Sequence, residues 1–208
     1  MTIKEFRKGC DDLYEGYDTD MITHMHCLVK YCRSVFEECK RTMNNSDLAE
    51  MLLEYSKNLY CVEGAREELK EVLTLREEVC HRLADKSFLA YGAQWADAIL
   101  TIAYGTEDFM LYAKGIGIYE KLRREYHNSD VEEPLADCYS HLLTVCDYKE
   151  RYREAIEYGD KAAELYERMY ARGEESLMNL GFVFSRLGDM YMALSDYAQA
   201  EVYYEKAA

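Results

Sequence analysis

Residues 184–191 read Phe-Ser-Arg-Leu-Gly-Asp-Met-Tyr, and residues 197–207 read Tyr-Ala-Gln-Ala-Glu-Val-Tyr-Tyr-Glu-Lys-Ala. Phe184, Leu187, Gly188 and Tyr191 recur at the three- and four-residue steps that place side chains on one face of a helix. After a break at Ser195-Asp196, the same period returns at Ala200, Tyr204 and Ala207. Gly188 and Ala200 are small enough to let two antiparallel helices approach closely, while the rings fill the space beside them. A single helix pair of this kind cannot bury its apolar face alone, so the pattern demands a stack of pairs.

An earlier copy lies at Tyr152-Arg153-Glu154-Ala155-Ile156-Glu157-Tyr158-Gly159-Asp160-Lys161-Ala162, in register with residues 197–207 at Tyr, Ala, Tyr, Lys and Ala. Fainter echoes are Ala113-x3-Gly117 and Ala65-x3-Leu69, so that the anchors Ala65, Ala113, Ala155 and Ala200 stand 48, 42 and 45 residues apart. The run aromatic-x2-Leu-Gly-x2-Tyr followed by Ala-x3-aromatic-x2-Ala resembles the tetratricopeptide repeat (TPR) pattern. The usual repeat is about 34 residues, so each helix here is expected to run about two turns longer. The resemblance is therefore to the long-repeat type seen in kinesin light chains and many bacterial TPR proteins. It implies an all-α, right-handed α-solenoid of antiparallel helix hairpins, about five in this length. One domain is expected over residues 1–208: an N-terminal hairpin or cap at 1–45, then repeats at 46–85, 86–128, 129–172 and 173–208.

Helix punctuation predicts helices near 2–15, 20–42, 47–60, 64–83, 86–104, 107–127, 130–147, 151–172, 174–194 and 196–208. Asn44-Asn45-Ser46 reads as a break with Ser46 as the cap. Gly105-Thr106 and Asn128-Ser129 read as further breaks, and Gly173 as the glycine that closes a helix. Pro134 is expected in a first turn, where proline is tolerated. Ala208 falls inside the second helix of the last repeat, leaving Val202, Tyr203, Ala207 and Ala208 as an open apolar face. The expectation is a fragment of a longer protein, or an end that packs against another copy.

The chain has 208 residues, one proline, a formal charge of −15 and a pI near 4.8. That charge argues against nucleic acid and against an anionic membrane surface as partners, because both need a clustered basic face. Eight cysteines without a secretory pattern in the polar stretch from Met1 to Cys10 point to a reducing, cytoplasmic setting. No apolar run approaches the ~18–20 residues a membrane helix requires.

Chemistry-bearing motifs are sparse. The phosphate-loop, dinucleotide, nucleophile-elbow, zinc-protease and paired C-x-x-C patterns are all missing from the sequence. Gly115-Ile116-Gly117 lies inside a helical stretch, where close helix packing explains it. His24, His26 and Cys27, with Cys32 and Cys39 downstream, have metal-ligand residue types. However, Met21, Met25, Leu28, Cys32, Val35 and Cys39 form one apolar stripe, which reads as helix core. Carboxylate pairs such as Glu67-Glu68 and Glu132-Glu133 read as solvated helix faces. The expectation is a non-enzymatic chain with no cofactor, no metal and no catalytic residue.

The resemblance implies that the first helix of each repeat lines a concave surface and supplies ligand contacts. It maps that role onto Gln94, Asp97, Thr101 and Tyr104 in one repeat. In the next it maps onto Asp137, Ser140, Thr144 and Asp147, and in the last onto Phe182, Ser185, Asp189 and Met192. Some relatives of this type grip a peptide carboxylate with a Lys/Arg and Asn clamp, and these positions carry Ser, Thr and Asp instead. The groove aspartates either attract basic or polar peptides or only keep an exposed surface wet. Tyr104 and Tyr148 are further candidates for a peptide surface. The function implied is a protein- or peptide-binding scaffold. The alternatives are a peptide-sensing regulatory domain of a larger bacterial signalling protein and a helical metal-binding module.

Overall fold

The computed structural model describes residues 2–15 and 21–208, with side chains for 2–13 and 25–208. Among the described residues the chain is helical throughout and contains no strand. It divides into two compact units, Met1–Thr106 and Glu107–Ala208, and the division falls inside the stretch 86–128 that the sequence marks as a repeat.

The first unit holds α1 (Ile3–Glu15), α2 (Met21–Cys39), α3 (Asn45–Tyr60), α4 (Arg66–Lys86) and α5 (Phe88–Thr106). Each packs on its neighbour in sequence, and α1 also touches α3. On α3, Leu48, Met51, Leu52, Tyr55 and Leu59 are buried at helical spacing. They meet Cys32, Val35 and Cys39 of α2 and Val72, Val79 and Cys80 of α4 in one core. The cysteine stripe of α2 is thus used as small apolar packing. The cap of α3 is Asn44, not Ser46: the Asn44 side-chain oxygen accepts from the Asp47 amide at 3.0 Å. That bond satisfies one of the helix's orphan N–H groups and starts the helix earlier than Ser46 would allow.

The second unit holds α6 (Phe109–Tyr126), a short 3-10 turn (Ser129–Val131), α7 (Glu132–Tyr148), α8 (Tyr152–Ala171), α9 (Leu177–Ala193) and α10 (Tyr197–Ala207). Helix α7 packs against α6, α8 and α9, which is why it buries residues on several sides, including Leu135, Tyr139, Leu142, Leu143 and Cys146. Helix α8 offers small residues to its neighbours: Ala155, Gly159, Ala162 and Ala163 are all buried. A Cβ on Gly159 would stand 2.6 Å from Leu187 Cδ2, and one on Gly188 would stand 2.6 Å from Tyr204 Cε1. The close approach expected at Gly188 is therefore present, and Tyr204 is the ring that uses it. Ala155 and Ala200 are buried as their anchor role requires.

The fainter anchors behave differently. Ala113 and Gly117 are exposed on α6, whose buried face is Tyr112, Gly115, Ile118, Tyr119 and Leu122. Gly117 has nothing within 4 Å of a built Cβ, so close packing does not explain that glycine. Ala65 precedes α4 and is only half-buried. Gly105 is helical, and the break falls on Glu107 in the left-handed region (φ 51°), with Asp108 capping α6 through the Met110 and Leu111 amides. The α7–α8 and α9–α10 turns also place a non-glycine residue there, Glu150 (φ 56°) and Ser195 (φ 61°). Gly173 (φ 83°) closes α8, and Pro134 lies in the first turn of α7, both as the sequence predicts. At the last helix, Tyr203 faces inward: its ring stacks on Tyr191 at 5.3 Å and its hydroxyl donates to Asp160 at 2.9 Å. Val202 and Tyr204 remain exposed.

Candidate functional site

Helices α7 and α9 touch one another in the second unit, with α8 behind them. Between them opens a pocket of about 250 Å³. Asp137, Ser140, His141 and Thr144 enter it from α7, Tyr166 from α8, and Asn179 and Phe182 from α9. The α7 residues follow i, i+3, i+4, i+7 spacing, which aligns them along one helix face. Four residues mapped by the repeat resemblance, Asp137, Ser140, Thr144 and Phe182, are therefore brought together.

Several features fix this geometry. The Tyr166 hydroxyl donates to Asp137 Oδ1, and Thr144 Oγ1 donates to the Ser140 carbonyl at 3.2 Å. Burial pushes the Tyr166 hydroxyl well above the usual phenol range, with the bonded Asp137 adding to the effect, so Tyr166 stays a neutral donor. Burial also holds His141 below the usual imidazole range, against the opposing pull of the Glu107 carboxylate. Its ring lies 5.8 Å from that of Tyr112. The fully buried Ser176 donates its hydroxyl to the Tyr166 carbonyl at 2.9 Å, tying the start of α9 to α8. Phe182, half exposed, supplies an apolar wall among these polar groups.

The other mapped residues of this unit lie outside the pocket. Asp147 is ion-paired with Arg186. Arg186 also reaches Asp189 Oδ2 at 3.4 Å, and Asp189 Oδ1 accepts from the Tyr204 hydroxyl at 2.8 Å. Ser185 is half-buried and Met192 is exposed. One arginine thus offsets part of the charge of two mapped aspartates, which makes this face less acidic than the aspartates alone imply. His141, Tyr166, Asn179 and Arg186 are absent from the sequence-derived set. His141 and Arg186 sit next to mapped positions, because the exposed face of a helix is wider than one residue per turn. Tyr166 comes from a second helix, which a mapping confined to first helices omits.

In the first unit, Gln94, Asp97, Thr101 and Tyr104 lie along one face of α5, with Asp97 and Tyr104 exposed. Thr101 Oγ1 donates to the Asp97 carbonyl at 2.7 Å and accepts from Arg76 Nη1 at 3.4 Å. Arg76 is itself buried, and Gln94 Oε1 is buried without a hydrogen-bond partner. Tyr148, at the end of α7, is among the most exposed large side chains.

The His24 side chain lies outside the described residues. Cys32 and Cys39 are core residues, and no group of three or more His, Cys, Asp or Glu side chains among the described residues could hold a metal ion. No helix among the described residues is long and apolar enough to cross a membrane.

Solved structures share this backbone. The crystal structure of BtubC (BKLC) from P. vanneervenii matches with a TM-score of 0.61 at 14% identity, covering 99% of this chain and 88% of that one. A crystal structure of MamA protein matches with a TM-score of 0.51 at 13% identity, covering 99% and 89% of the two chains. No protein-family model and no curated protein sequence matches the chain. At these identities the likeness is one of fold. Successive helices packed on one another within each unit, glycine and alanine at the close approaches, and these backbone matches give the chain the fold of a TPR-like helical-repeat protein.

Proposed function

We propose that the chain is a non-enzymatic binding module for another protein, and that the α7–α9 pocket takes an extended segment of that partner with basic or polar side chains. The observation that carries this reading is the convergence of Asp137, Ser140, Thr144 and Phe182 with His141, Tyr166 and Asn179 in one open pocket. A half-exposed aromatic ring surrounded by hydroxyl, amide and carboxylate groups suits a peptide. The ring takes an apolar stem, and the polar groups take backbone amides or a lysine head. The groove remains acidic after Arg186 is counted, since Asp137, Asp147 and Asp189 outnumber it. It therefore favours cationic over anionic segments.

The test is binding to a fluorescent peptide array that varies charge at fixed length, followed by titration of the best basic peptide. Phe182→Ala combined with Thr144→Lys removes the wall and adds a repelling charge, and should weaken binding at least about tenfold, equivalent to ~1.4 kcal/mol. Tyr148→Ala, on an exposed side chain outside the pocket, should leave affinity unchanged. Equal binding of acidic and basic peptides, or full affinity in the pocket variant, would reject the assignment.

A further inference from the structure

Four arginines in a chain of net charge −15 line a single recess of about 330 Å³ in the second unit, away from the α7–α9 pocket. Arg123 and Arg124 come from the last turn of α6, and Arg168 and Arg172 from the end of α8. His127, Asn128, Ser129 and Glu132 complete its wall. Glu132 is buried, and both its carboxylate oxygens are taken: one by Arg168, the other by Arg172 Nη1 at 2.6 Å. This buried carboxylate positions two arginines whose side chains remain 42% and 40% exposed. Across the recess, Arg123 Nη2 pairs with Glu120 at 3.0 Å and Arg124 Nε lies 3.7 Å from the same carboxylate. Glu174 accepts from Arg172 Nε at 2.7 Å, and Glu164 lies 4.0 Å from Arg168.

These ion pairs leave most of the N–H donors unused. Each guanidinium carries five, and a carboxylate that meets one edge leaves the remainder directed elsewhere. Arg123 Nε in particular is buried with no hydrogen-bond partner. Helix ends explain one basic residue each, since cations are favoured beside terminal carbonyls, but that effect does not require four of them to share a cavity. Among the lining residues Glu132 is the one carboxylate, so the wall of the recess is cationic in a chain whose net charge is −15.

We propose that this recess binds a phosphate monoester carried by a soluble ligand, such as a phosphorylated side chain. A dianion with three acceptor oxygens matches several guanidinium forks where a single carboxylate would leave most of them unmet. The chain's net charge of −15 disfavours approach to the extended anionic face of a bilayer, which selects the soluble source.

The test is NMR titration of the full chain, reading the arginine Nε–Hε resonances, with inorganic phosphate against chloride at matched ionic strength. O-phosphoserine, acetate and vesicles containing phosphatidic acid are parallel arms. Phosphate and phosphoserine should give saturable shifts of the four arginines, and acetate should bind at least about tenfold more weakly. Arg123→Gln with Arg124→Gln leaves the Glu132 pairs intact and should reduce phosphate affinity at least about tenfold. Arg124→Gln alone changes a side chain that is 71% exposed, and reports the same loss in smaller measure should the double variant not fold. Identical responses to phosphate and chloride, acetate binding as tight as phosphate, or an unchanged affinity in the variants would overturn the proposal. Co-sedimentation with the vesicles at unaltered phosphoserine affinity would overturn its soluble source.

Discussion

Three glycines of the second unit provide a quantitative test of helix packing, because alanine at each meets a different environment. Replacing a helical glycine with alanine gains about 0.5–1 kcal/mol from backbone entropy wherever the methyl has room. Gly117 is exposed, with nothing within 4 Å of a built Cβ, so Gly117→Ala should return that gain in full. At Gly159 the methyl would stand 2.6 Å from Leu187 Cδ2, 3.0 Å from its Cγ and 3.5 Å from Leu143 Cδ1. Leu187 and Leu143 are fully buried and cannot move outward, so the strain falls on the α8–α9 contact. Overpacking of that kind costs about 1–3 kcal/mol. Gly188→Ala meets the Tyr204 ring at 2.6–3.0 Å, but Tyr204 is 39% exposed and its ring can swing toward solvent. Its cost is then chiefly the hydroxyl bond to Asp189, about 0.5–1.5 kcal/mol, which the propensity gain nearly offsets. The expected order of stability is Gly117→Ala above wild type, Gly188→Ala near it and Gly159→Ala below. The propensity term is common to all three, so the difference between Gly117→Ala and Gly159→Ala isolates the overpacking penalty. Urea unfolding followed by circular dichroism would resolve it as a midpoint difference of about 1 M for a slope of ~2 kcal/mol per molar. A Gly159→Ala protein as stable as Gly117→Ala would show that α8 and α9 do not approach as described.

Acid should weaken the second unit through His141. Its folded pKa lies below the unfolded value of about 6.5, so the unfolded state binds the proton more readily. The stability this provides is complete above about pH 6.5 and is lost as pH falls through the lower folded value. His141→Gln should therefore lose less stability than wild type between neutral pH and pH 5, as read from urea midpoints, and equal losses would contradict a half-buried imidazole held neutral. Ser176→Ala removes the hydroxyl that bonds the Tyr166 carbonyl, and should cost about 0.5–1.5 kcal/mol in the same assay. A neutral result would mean that water replaces the bond and that Ser176 does not fix the start of α9.

The apolar period, the small residues at close approaches and the chain breaks were enough to place each α-helix among the described residues and to point to the repeat character of the last two hairpins. These are local properties: a helix face is written in i, i+3, i+4 spacing, and a close approach demands glycine or alanine wherever it occurs. The faint copy at Ala113-x3-Gly117 failed because two small residues at the right spacing do not say which face of a helix is buried; that depends on the neighbours of α6. Ser46 lost its capping role to Asn44 for a similarly fine reason, since both can cap and the backbone path selects one.

That Asp137, Ser140 and Thr144 share one face was legible from their i, i+3, i+7 spacing, and with Phe182 they line one pocket. The charge of that face was not legible. Arg186 bridging Asp147 and Asp189, and Tyr166 reaching Asp137 from another helix, join residues 29 to 39 positions apart in sequence for Tyr166–Asp137 and Arg186–Asp147. The same holds for the arginine recess, whose members lie on α6 and α8 and meet over the buried Glu132 of α7. Sequence alone determined the α-helices and the helical-repeat fold, since these follow from short-range periodicity. Tertiary structure alone decided which polar side chains share a pocket and how their charges cancel, because that depends on distances between groups the chain places far apart.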